Sequence, residues 1–208
     1  MEGRKMAGEW GQANEQSIRL PPFVCHFSAC LCLCLIAAPV LAQDPKPGSS
    51  ALEREVKAAY LFNFAKYVEW PPAAFPDAGA PIMIGVLGRD PFGELLEQTI
   101  AGRSIGKRKV LVQRSERIRD LKNSHILFVS SSERERLSRL PAELKGSWAL
   151  TVGEMPRFLE YGMVHFVIDN AVVRFDVNLD NAQRAGLKIS ARMLASARKV
   201  WSAGSAPR

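Results

Sequence analysis

VKAAYLFNFAKYVEWP, residues Val56–Pro71, decides how the rest of the chain is read. Wound at about 100° per residue, it gathers Val56, Tyr60, Leu61, Phe64, Tyr67 and Val68 into one arc roughly 140° wide, a helical stripe that must face a core. Lys57 falls inside the arc at the first turn, where its stem can lie on apolar surface while its ammonium reaches water. Asn63, Lys66 and Glu69 occupy the opposite side. Phe62 breaks the pattern by sitting among them. Either a second layer of the fold covers it, or it is an aromatic anchor for a partner, flanked by Lys66 and Trp70. Trp70 ends the helix, because Pro71 disfavours the helical conformation in the residue before it.

Upstream, FVCHFSACLCLCLIAAPVLA (residues 23–42) is an apolar run preceded by Arg4, Lys5 and Arg19 and closed by small residues. It reads as a secretory signal peptide over residues 1–42, cleaved after Ala42. The alternative is an uncleaved anchor of just sufficient length. Residues 43–50 form a linker, 51–201 a single domain, and 202–208 a disordered tail. All four cysteines (Cys25, Cys30, Cys32, Cys34) lie in the signal. The processed protein therefore enters an oxidising compartment with no disulfide to form, and neither thiol redox chemistry nor cysteine metal ligation is open to it.

Three basic and three acidic residues in the signal cancel, so the net charge of +7 belongs to the processed chain. Its cations cluster at Arg103, Lys107, Arg108, Lys109, Arg114, Arg117, Arg119 and Lys122. For an exported protein nucleic acid is not the expected partner. An anionic membrane surface or an acidic partner domain fits better, with a solvated basic edge as the plainer reading.

Downstream, Ile82–Leu87 is apolar without alternation, as in a strand buried on both faces. Asp90 then caps a helix over Pro91–Ile100, and the Gly88–Gly93 turn before it is a weak candidate for an anion cradle. Lys109–Gln113, His125–Val129 and Trp148–Val152 are further strands. Between them stand a short helix around Glu116–Leu121 and a longer one over Glu133–Leu144, capped by Ser132 with Glu135. This alternation predicts an α/β fold: a mainly parallel sheet of about six strands with helices on both faces and a C-terminal antiparallel hairpin.

That hairpin spans Met163–Val177 around an Asp169-Asn170 turn. The register pairs Phe166 with Val173 on an apolar face, and His165 with Arg174 and Met163 with Asp176 on the other. His165, Arg174 and Asp176 are thus candidates for binding a small anionic ligand, against the reading of an ordinary solvated sheet face. Asn178 caps a short helix and Ser190 the last one, whose stripe is Met193, Leu194, Ala197, Val200 and Trp201. No catalytic elbow, metal-binding histidine pair or acid–base pair is present, so no catalytic residue, metal or cofactor is assigned and the chain is not read as an enzyme.

Taken in order, several pieces resemble the YfiR-like family of periplasmic repressors: VKAAYLFNFAKYVEWP, IGVLGRDPFGELLE (Ile84–Glu97), AGRSIGKRKV (Ala101–Val110), SHILFVSSSE (Ser124–Glu133), ALTVGEMPRF (Ala149–Phe158) and RFDVNLDNAQRAGLKISARML (Arg174–Leu194). The resemblance implies an exported α/β domain that binds and represses the periplasmic sensor domain of an inner-membrane, YfiN-like diguanylate cyclase, lowering cyclic di-GMP and biofilm formation. It also implies release by envelope stress or by an outer-membrane lipoprotein. The resemblance implies a fold secured by disulfides, with a cysteine in some relatives where Ser124 stands; this chain departs from it, having no cysteine after Cys34. The competing class is a periplasmic solute-binding or adaptor module for a membrane histidine kinase, sensing a small anionic or aromatic ligand. Homodimerisation is compatible with both.

Overall fold

The computed structural model describes residues 47–202; the expected signal peptide and its cleavage site lie outside them, as do residues 203–208. Helix α1 (Pro47–Tyr67) begins inside the segment read as a linker and hands over to β1 (Val68–Glu69) before Pro71 is reached. The chain continues through β2 (Ile82–Leu87), α2 (Leu95–Ile100), β3 (Ser104–Ile105), β4 (Arg108–Ser115), β5 (Ile126–Val129), α3 (Leu140–Glu143) and β6 (Leu150–Gly153). It closes with β7 (Val164–Asp169), β8 (Val172–Asn178), α4 (Leu179–Arg184), β9 (Lys188–Ile189), α5 (Ala191–Ser196) and β10 (Lys199–Trp201).

Eight strands form one sheet in the order β10-β8-β7-β6-β5-β2-β4-β3, and β1 pairs separately with β9. The run from β4 to β7 is parallel throughout. The chain leaves β2 to place β4 on one side, then returns to place β5 on the other, which makes the junction of β2 and β5 the topological switch point of a doubly wound sheet. The α/β class with its parallel centre and terminal hairpin is as expected, with eight strands in the main sheet rather than six.

Side chains alternate cleanly between two cores. Ile82, Ile84, Val86, Ile126, Phe128, Leu150 and Val152 face α1 and α2; Leu87, Leu127, Val129 and Ala149 face the other way. The first face carries an aromatic cluster in which Tyr60 and Phe64 of α1 meet Phe166 and Phe175 of the hairpin, the edge-on Phe64–Phe175 pair having centroids 5.0 Å apart. The second face is roofed only by short 3-10 segments (Ile118–Leu121, Ser131–Arg139, Phe158–Glu160) and α3. Phe158 pins this roof. It is fully buried, and a Cβ at Gly153 or Gly162 would come within 2.5 or 2.2 Å of its ring.

Several expected boundaries shift. The helix over Pro91–Ile100 shortens to α2, and Asp90 instead accepts from the Phe92 N–H at 2.7 Å in a local turn. Ser130, not Ser132, caps the segment after β5, which is 3-10 as far as Arg139 before α3 begins. The last helix stops at Ser196. Val200 and Trp201 belong to a strand, β10, laid parallel to β8.

The hairpin turn is Asn170-Ala171, both at positive φ (49° and 61°), not Asp169-Asn170. Two positive φ values make this the primed turn that matches strand twist. The register therefore moves by two residues, which keeps every side chain on its expected face but changes its partner. Phe166 sits opposite Phe175, and His165 sits opposite Asp176 rather than Arg174.

Candidate functional site

Phe62 is 2 % exposed, and the Arg103 guanidinium from the segment after α2 lies over its ring at 5.4 Å, with Lys66 Nζ at 4.6 Å. The covering layer is part of this chain, so the partner-anchor reading of Phe62 gives way to the core reading. Lys66 is exposed and held over an aromatic face. Trp70 is half-buried, and its indole N–H reaches the His125 and Trp148 carbonyls at 3.2 and 2.9 Å, tying together the beginnings of β5 and β6. These two bonds make Trp70 a structural brace.

The hairpin set is only partly assembled. Asp176 is buried opposite His165, but its cation is Arg198, which donates from Nε at 2.9 Å and from Nη2 at 2.6 Å. Sequence order missed this partner because the fork arrives from the segment between α5 and β10, a strand the helical stripe had concealed. Arg174 is exposed opposite Val167. Burial holds the His165 pKa below its ordinary 6.5, although Asp176 works against this. With Asp176 already satisfied, His165 and Arg174 alone remain to meet an anion, and they are not directly paired.

Lys57 was expected to reach water; it is buried instead. Its ammonium pairs with Glu53 one turn earlier and with Glu154 just beyond β6. Burial opposes its charge, but the hydrogen bonds to Glu154 and Glu53 prevail and carry its pKa above the ordinary value. Part of the basic cluster is likewise spent within the fold. Arg108 lies 3.8 Å over the Phe75 ring and donates to the Asp77 and Ala80 carbonyls. Arg114 binds Asp90, Glu97 and the Gly93 carbonyl, which fills the turn proposed as an anion cradle. Hydrogen bonding to Glu97 and Asp90 raises the Arg114 pKa, while the same pairing depresses that of Glu97.

At the opposite end of the sheet, His125 is buried against Phe75, ring centroids 4.5 Å apart. Its Nδ1 accepts from the Met83 N–H at 3.1 Å, which places the ring proton on Nε2, a buried atom with no hydrogen bond of good geometry. Burial lowers the His125 pKa; the Ala74 backbone opposes this and Arg108 reinforces it. Ser124 Oγ is buried and unpaired too, lodged 2.4 Å from where a Cβ at Gly85 would stand.

A family model described as YfiR/HmsC-like matches residues 54–198. No curated protein matches the sequence. Among solved structures, a conserved domain protein from Vibrio cholerae O1 biovar El Tor is 11 % identical with a TM-score of 0.48, over 69 % of this chain and 60 % of that one. The ABC domain in complex with L-Trp from Streptococcus pneumoniae is 12 % identical with a TM-score of 0.47 and the same coverages. The chain thus spans about three fifths of the length of each.

Proposed function

The chain belongs to the YfiR/HmsC-like family, and from that premise we propose that it binds and represses the periplasmic sensor domain of an inner-membrane diguanylate cyclase, lowering cyclic di-GMP. The observation that carries the reading is the reach of the family match, from α1 to the residue before β10, which takes in both cores and the hairpin. The family is one of regulators rather than catalysts, and no helix among the described residues is long and apolar enough to cross a membrane. Repression then takes the form of a protein–protein contact made by the folded domain.

The contact surface that fits is the hairpin tip. Ile168 and Val172 are 52 % and 48 % exposed there, on opposite faces of the strand pair beside the primed turn, so a partner would clasp the tip from both faces. Aliphatic side chains left in water on a pre-formed loop suit a partner that buries them, since little ordering is needed on binding. Deleting the gene is expected to raise cellular cyclic di-GMP. Wild-type protein restores it, while an Ile168→Glu/Val172→Glu variant, folded by circular dichroism, does not and fails to co-purify with the cyclase sensor domain. Unchanged cyclic di-GMP in the deletion strain would remove the cyclase reading, and full rescue by the double variant would remove the tip from the interface.

A further inference from the structure

The crevice outside the carboxyl ends of the strands at the switch point is the one place where a doubly wound sheet leaves a groove by topology alone. Here it opens on the second face, between the 3-10 segments Ile118–Leu121 and Ser131–Arg139, and holds about 460 Å³. That is within the range of small-molecule sites. Its floor is apolar, built from Leu87, Val129, Leu137 and Leu140, all buried side chains of the second core. A smaller recess of about 350 Å³ continues it to Gly88 and Arg89, sharing Glu116, Glu133 and Arg136 with it.

The rim is cationic. Five basic residues line the crevice against three glutamates. Arg117 is bound to Asp120 at 2.8 Å and Arg136 lies 3.6 Å from Glu133. Arg119, Lys122 and Arg139 make no ion pair or side-chain hydrogen bond among the described residues. Three unspent cations around an apolar trough call for an occupant with the opposite arrangement: an apolar body on the floor and an anionic group at the edge. The Gly88 turn (φ +83°) closes the inner end, where Ser132 Oγ accepts from the Arg89 N–H at 3.0 Å and leaves no space for a Cβ.

We propose that the switch-point crevice binds a small organic anion with an apolar body, its acid group held by Arg119, Lys122 and Arg139. The site lies away from the hairpin tip and does not depend on the cyclase reading, so either can fail alone.

The test uses the protein in the form the cell accumulates, titrated calorimetrically with octanoate and naphthalenesulfonate, and with octanol as the uncharged control. At least one anion is expected to bind, and octanol about tenfold more weakly or not at all, the scale of one charge-assisted contact. Arg119→Gln/Arg139→Gln should lower the anion's affinity by about tenfold or more. Arg192→Gln, exposed on α5 beside Met193 of the first core, should leave it unchanged. Hydrogen exchange should slow in residues 118–121 and 131–140. The proposal is overturned if neither anion binds, if octanol binds equally well, if the double variant keeps full affinity, or if protection falls on the hairpin. Association with phosphatidylglycerol vesicles in place of the soluble anions overturns it as well.

Discussion

The two faces of the sheet are built to different standards. The α1 face buries 26 apolar residues under two side-by-side helices and an aromatic cluster; the other buries nine under single turns. Apolar burial contributes roughly 25 cal/mol per Å², so the first face supplies most of the stability. The second face is left free to carry grooves and charge. Holding the fold and presenting a binding surface fall to opposite sides of the same strands.

Truncation should show the difference most strongly. Phe62→Ala is expected to destabilise by about 3–5 kcal/mol, and Leu137→Ala by about 2 kcal/mol because its thin cover can settle into the space. Urea unfolding measures both, and equal losses would break the contrast. Next comes the single pin of the second face. Gly162→Ala forces the buried Phe158 ring to move, at a cost of about 1–3 kcal/mol by the same measurement. A neutral result would mean that the roof is already loose.

Acid should act through His125 and His165, the two histidines among the described residues. Both have pKa values below the unfolded 6.5, so the unfolded state binds protons first and stability rises with pH in that region. Their contribution is complete above pH 6.5 and is lost as pH falls through the folded values. Stability is expected to fall as pH drops through that window, and His165→Gln should remove one share of the slope. An unchanged slope in that variant would contradict the burial assigned to His165. The smallest effect is a gain: Ala171→Gly should stabilise by about 0.5–1 kcal/mol, because Ala171 is held at positive φ. No gain would mean that the turn is not strained.

What could be read from the sequence divides along the same line. Val56–Tyr67 and Ile82–Leu87 announced helix and strand because long stripes and unbroken apolar runs report burial directly, and the first face is made of them. Phe62 was ambiguous because its cover comes from Arg103, which no local period reveals. The hairpin partners slipped because Asp169-Asn170 is the better turn-former on paper, whereas Phe166 against Phe175 beneath Tyr60 and Phe64 decides the register. The Arg198–Asp176 fork was hidden because Val200 and Trp201 continued a helical stripe that tertiary pairing turned into a strand. The crevice left no local trace, since Arg119 and Arg139 converge only through the reversal of strand order.

The aromatic cluster also sets a timetable. Tyr60 and Phe64 are made early in synthesis, but their ring partners Phe166 and Phe175 emerge only near the end. Contacts so distant along the chain close slowly. Until the ribosome passes Phe175, Tyr60 and Phe64 lack the rings that cover them, and this part of the α1 stripe is a natural client for a chaperone that holds unfolded chains. A chain stopped at Gly162 should therefore stay bound to such a chaperone and lack near-ultraviolet dichroism, whereas one ending at Ser202 should be released and fold.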